Sequence, residues 1–110
     1  MKPALLVAIR TELERGRSLR DSDRDGAFRH LERAHVLSQR HTFWHVRVHL
    51  SMLAHGLRHR DHREVFGQIS RTLAASLFSR IWVPPGNTGG ANVSAFQPMP
   101  LPSDLRALLD

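Results

Sequence analysis

Four stretches of this chain repeat apolar side chains at intervals of three and four residues, and each ends at a polar or glycine-bearing break. That period fits one face of an α-helix, so it constrains the chain to an all-α fold. In residues 3–16, Leu5, Leu6, Ile9 and Leu13 share a face, Pro3 suits the first turn, and Gly16 is expected to end the helix. Residues 22–38 carry Ala27, Phe28, Leu31, Ala34 and Leu37, with DSDRDG supplying Ser and Asp caps. Residues 42–58 carry Phe43, Val46, Leu50, Leu53 and Leu57 behind Thr42 as cap. Residues 62–79 carry Val65, Phe66, Ile69, Leu73 and Leu77, and Asp61 with Glu64 has capping-box spacing. Short connections between such helices predict a compact antiparallel four-helix bundle.

The segment IWVPPGNTGGANVSAFQPMPLP, residues 81–102, has no helical period. Ile81, Trp82, Val83, Val93 and Phe96 can anchor it, which a flexible linker would lack, so an ordered irregular excursion is expected. It contains neither G-K-[ST] nor G-x-G-x-x-G and does not open a helix. A phosphate loop is therefore disfavoured against a structural loop closing one end of the bundle. Ser103 can cap a short last helix, 103–109. The expected organisation is a single helical domain over residues 1–110.

Composition removes several functions. Without cysteine there are no thiolate metal sites, disulfides or redox thiols. The formal charge of +6 is nearly all arginine, Lys2 being the one lysine. The arginines alternate with Asp and Glu, and the few aromatics form no stacking series, so nucleic acid is disfavoured as a partner. No run approaches the roughly 18–20 apolar residues of a membrane span. MKPALLVAIR is too short an apolar run for a signal peptide, and Glu12 and Glu14 follow closely, which predicts a cytoplasmic location. No nucleophile elbow is present, and no reaction is assigned.

Chemistry concentrates in HLERAHVLSQRHTFWHVRVHL, residues 30–50, which holds five of the eight histidines. Turning each helix by about 100° per residue separates them. His35 falls in the middle of the second helix's apolar face, with Glu32 at one edge and His30 at the other. His45 and His49 share a side of the third helix one turn apart, a spacing that can chelate one ion. His55 falls on the far side, and His30, His55 and His59 are expected at the surface. Glu12 sits at the edge of the first helix's face, His62 lies among the apolar residues of the fourth, and Glu64 points away. Inward histidines need hydrogen-bond partners or a metal, because burying them unpaired is unfavourable. His35, His45 and His49 are therefore the candidate ligands, with Glu32, Glu12 and His62 as further candidates.

Glu32 and His35 form one E-x-x-H. Carboxylate-bridged di-metal bundles use two such motifs, so either a homodimer supplies the second motif or the site is mononuclear. Imidazole and carboxylate without sulfur suit a divalent transition metal (zinc, iron, copper or nickel) better than calcium or magnesium.

Four runs resemble a family of small bacterial proteins described only as a domain of unknown function: HLERAHVLSQ (30–39), HVRVHLSMLAHG (45–56), RDHREVFGQ (60–68) and PPGNTGGANVSAFQPMPLPSDL (84–105). The resemblance implies a helical, cytosolic, single-domain protein. Through a loose association with heavy-metal resistance gene clusters, it also implies a metal-related role. It carries over no catalytic residues. The leading expectation is a histidine- and carboxylate-ligated metal-binding bundle for metal storage, sensing or resistance. The alternatives are a metal-free interaction module with a basic surface for an acidic protein or nucleic acid, and a heme-binding bundle.

Overall fold

A computed structural model describes residues 1–78, 85–94 and 96–109, including their side chains except those of 75–78. These residues form five helices and no strand: α1 (Pro3–Leu19), α2 (Arg24–Ser38), α3 (Thr42–Arg58), α4 (His62–Phe78) and α5 (Ser103–Leu109). None of them is long and apolar enough to cross a membrane.

Local chemistry explains the boundaries. The Asp23 carboxylate accepts from the Gly26 backbone N–H at 3.0 Å and caps α2. At the end of α3, Arg60 takes a left-handed conformation (φ 55°), and the Asp61 N–H closes back on the Gly56 carbonyl at 2.9 Å. Asp61 then caps α4 by accepting from the Glu64 N–H at 3.1 Å. Only this half of the capping box forms, because the Glu64 carboxylate turns away to the Ala91 N–H and the Gln68 amide.

α1 does not stop at Gly16 but continues for one more turn. Gly16 is buried where α1 crosses α2, and a Cβ there would stand 2.8 Å from Leu31 Cδ2 and 3.2 Å from the Ala27 carbonyl oxygen. Glycine at this position thus serves close helix approach. Gly16→Val is expected to destabilise the fold by about 1–3 kcal/mol through overpacking. Urea denaturation checks this, and an unchanged midpoint would reject the close-approach argument.

The helices pack as two hairpins, α1 with α2 and α3 with α4, joined chiefly by α2 against α3, with α5 lying on α1 and α2. Leu5, Ile9, Val36, Leu37 and Leu105 form one core cluster; Leu31, Ala34, Val48 and Met52 form the other. A closed four-helix bundle would also set α4 against α1 or α2. Among the described residues neither pair is in close backbone contact. Instead the glycine-rich loop lies between α2 and α4, bonded to His35 and Gln39 on one side and to Glu64, Gln68 and Arg71 on the other.

This loop reverses the expected phase of α4. Glu64 and Gln68 are buried against it, while Phe66, Ile69 and Leu73 are exposed. On α3, His45, Val48, His49, Met52 and His55 are buried, whereas Phe43, Leu50 and Leu57 are exposed. The backbone carbonyls and N–H groups of an irregular loop need polar partners, so the polar side of α4 turns inward to supply them. Of the expected loop anchors, Val93 is half-buried and Phe96 is exposed. Ile81, Trp82 and Val83, and the side chain of Leu77, lie outside the described residues.

Candidate metal centre

α2 delivers His35 and α3 delivers His45 and His49 to one point where the two helices pack. The three Nε2 atoms form a near-equilateral triangle: 3.0 Å from His35 to His45, 3.1 Å from His35 to His49, and 3.1 Å from His45 to His49. The residues are only 3–6% exposed. Among the described residues they are the one cluster of potential ligands spaced to hold an ion.

The outer nitrogens decide which atoms carry protons. His35 Nδ1 lies 2.7 Å from the Asn87 backbone carbonyl, which only accepts, so Nδ1 donates. His49 Nδ1 lies 2.5 Å from Gln68 Oε1. The Gln68 amide nitrogen donates to two acceptors, Glu64 Oε2 at 2.8 Å and the Gly89 carbonyl at 2.7 Å. Flipping that amide would set its oxygen against both acceptors, so Gln68 Oε1 must face His49, whose Nδ1 donates. Neutral His35 and His49 therefore both present bare Nε2 lone pairs, 3.1 Å apart and aimed at each other. No hydrogen bond can form between them. His45 can offer at most one Nε2 proton to this space, and its Nδ1 is buried without a hydrogen-bond partner.

Burial holds all three rings in the neutral form. Desolvation pushes His35 well below the ordinary imidazole range, with His49 and His45 adding to the shift. It pushes His45 down to about 3 and His49 down to about 4. For His49 the bond to Gln68 partly opposes the shift, and the Arg71 guanidinium reinforces it. Neutral imidazole is the form that ligates a metal.

The glycine-rich loop forms the outer wall. Gly89 (φ 83°) lies against the face of His35, where a Cβ would come 2.5–2.7 Å from three atoms of the ring. The Asn87 side chain holds the loop's shape, donating to the Ser94 and Gln97 carbonyls and accepting from the Gly89 N–H. Arg71 donates to the carbonyls of Gly89, Gly90 and Val93. Together these contacts fix the carbonyl that orients His35.

The structure does not bring the other candidate ligands to the triad. Glu12 is buried, but its carboxylate is engaged by His30 Nδ1 at 2.6 Å and Arg33 Nε at 3.1 Å. Arg33 also reaches Asp104, so Glu12 joins α1 to α2 and α5. Glu32 is half-buried outside the cluster, and burial raises its pKa. His62 is exposed at the first position of α4. His55, expected at the surface, is buried: its Nε2 donates to the Arg24 carbonyl at 3.1 Å, and its ring lies against Phe28.

Gln68, Asn87, Gly89 and Arg71 support the site but are not among the sequence candidates, and Glu64, expected to point away, is buried beside Gln68. The spacing Glu64–Gln68–Arg71 sets the three on one helical face, but a polar stripe reads as solvent-facing, so nothing in the sequence turns it inward. The Asn87 carbonyl has no sequence signature. Elsewhere, Arg17, Arg20, Arg47 and Arg58 line a groove of about 370 Å³ between α1 and α3.

Residues 4–109 match the family described as "Protein of unknown function (DUF3703)". Comparison with curated proteins and with solved structures returns no match.

Proposed function

We propose that this chain, which belongs to the DUF3703 family, binds one divalent transition-metal ion through the Nε2 atoms of His35, His45 and His49. The observation that carries the reading is the pair of bare Nε2 lone pairs held 3.1 Å apart by outer hydrogen bonds. A cation beside the triangle turns that repulsion into coordination. The three Nε2 atoms would hold the ion, which would supply the positive charge that their converging lone pairs lack. For two of the three rings the outer nitrogen is placed as metal-ligating histidines usually are, donating its N–H to a carbonyl oxygen. His35 donates to Asn87, and His49 is linked through Gln68 to Glu64.

Three neutral imidazoles without thiolate suit zinc, copper, nickel or ferrous iron. The triangle accommodates one ion, which favours a mononuclear centre over a carboxylate-bridged pair. It also disfavours heme, whose axial imidazoles bind from opposite faces of the macrocycle. A role in storing, sensing or buffering the metal is consistent with a buried site and no assigned nucleophile.

The test is elemental analysis of the full chain purified without chelator, followed by titration with zinc, nickel, copper and ferrous iron. About one ion per chain is expected, falling at least tenfold in the double variant His45→Ala/His49→Ala. Equal, negligible metal in both proteins would reject the reading.

The arginine-lined groove between α1 and α3 favours a second reading, a basic surface for an acidic partner. Phosphate contacts give a steep salt dependence. Binding of RNA or DNA that weakens sharply with salt and is lost in Arg17→Glu/Arg47→Glu would support it, and a flat response would remove the nucleic-acid form.

A further inference from the structure

The outer face of the α3–α4 hairpin is apolar, uncharged and solvent-facing. Phe43 and Phe66 are each 71% exposed, Leu73 is 64% exposed and Leu57 60%, with Leu50 and Ile69 also open. Their spacing is regular. Phe43, Val46, Leu50, Leu53 and Leu57 recur at alternating steps of three and four residues, and Phe66, Ile69 and Leu73 do the same. This is the a/d heptad pattern of helices that pack along a seam with other helices. The opposite sides of α3 and α4 already face the histidine cluster and the loop, so the seam has no use inside the described fold.

We infer that this face is a self-association surface, on which a second copy of the chain packs its own α3–α4 hairpin to complete an intermolecular four-helix bundle. Three features favour a second copy. The first is size. Six side chains exposing on the order of 100 Å² each present about 600 Å² per copy. That is at the upper end of what monomers leave contiguous, and near the roughly 800 Å² per partner of a standard interface. The second is self-complementarity. A two-fold axis sets the same heptad spacing against itself, as an isologous interface requires. The third is charge. None of the eight seam residues is charged, and of the exposed arginines beside them Arg58 is paired with Asp21, while Arg47 and Arg63 leave the rim net positive. A charged partner would gain no ion pair on the seam. The rims of two copies repel, so association should strengthen as salt screens them.

The experiment is sedimentation velocity of the full chain over a concentration series at low and high salt. A dimer is expected, with its dissociation constant falling at least threefold at high salt. Leu50→Glu/Leu73→Glu should be monomeric with unchanged helical circular dichroism and metal content, which separates this inference from the metal reading. Should that variant fail to fold, single-cysteine reporters replace it, since the chain has no cysteine. Leu73→Cys should then form an intermolecular crosslink with a short bis-maleimide, and Val7→Cys on α1 should not. A wild-type chain that stays monomeric at about 100 µM in both salts overturns the inference. So does a glutamate variant that folds and still dimerises, or a crosslink as efficient at Val7→Cys as at Leu73→Cys.

Discussion

With chelator present, the protein is expected to unfold in acid between about pH 6.5 and pH 4, more steeply than its overall charge would dictate. The three clustered histidines set most of this window, and His55, whose pKa burial also lowers, adds in the same direction. In the unfolded chain each imidazole titrates near its ordinary pKa of about 6.5. In the fold, burial pushes His45 to about 3, His49 to about 4 and His35 well below the usual range. Well above about pH 6.5 both states are neutral, and the triad gives no pH dependence. As pH falls below that value, the unfolded state takes up protons the folded state refuses, so stability declines. Each proton taken up contributes about 1.4 kcal/mol per pH unit, and three give a slope of about 4 kcal/mol per pH unit near about pH 5. A bound ion competes with the same protons, so saturating zinc should move the acid midpoint downward. Circular dichroism against pH, with chelator and with zinc, measures both effects. If His45→Ala/His49→Ala kept the wild-type slope and midpoint, the triad would not be the titrating unit.

The three histidines were legible in the sequence because two local rules agreed. His45 and His49 are one turn apart, and the phase of α2 turns His35 inward. Glu12 and Glu32 were harder, because periodicity gives a direction and not a distance. Glu12 does turn inward, but His30 and Arg33 take up its carboxylate before it could reach the triad. α4 reads in the opposite sense from its packing. Its apolar stripe, Phe66–Ile69–Leu73, was expected to face this chain's own core, yet Glu64 and Gln68 are the buried residues. Hydrophobic phasing assumes that the apolar side meets the chain's own core. It fails where an irregular loop demands polar partners and the apolar side is free to meet something else. The role of the loop was invisible for a related reason. It supports His35 through the backbone carbonyl of Asn87, and every residue type carries that group.

Gly89→Ala is expected to weaken metal binding by about 10–100-fold, the usual range when a group that orients a ligating histidine is lost, and to destabilise the metal-free fold by roughly 3 kcal/mol. Two causes combine. The φ of 83° places Gly89 in the left-handed region, which costs an L-residue about 1–2 kcal/mol. The new Cβ would also stand 2.5 Å from His35 Cδ2, 2.6 Å from Cγ and 2.7 Å from Nε2. Neither side can yield cheaply. His35 is tied through Nδ1 to Asn87 on the same loop, and the Gly89 carbonyl is held by Gln68 and Arg71. The ring must tilt, and its Nε2 leaves the triangle. Gly90→Ala is the control, since Gly90 has no positive φ and a Cβ there would press chiefly on the exposed Asn92 side chain at 2.6 Å, with the Phe28 ring next at 3.3 Å. A double-mutant cycle separates the two causes. In a His35→Ala background, measured with chelator, the backbone penalty of Gly89→Ala remains and the clash disappears, so its destabilisation should shrink by about 1–3 kcal/mol. Zinc affinity from competition with a chromophoric chelator supplies the second readout. An equal penalty in both backgrounds, or unchanged affinity in Gly89→Ala, would mean that the loop covers the triad without positioning it.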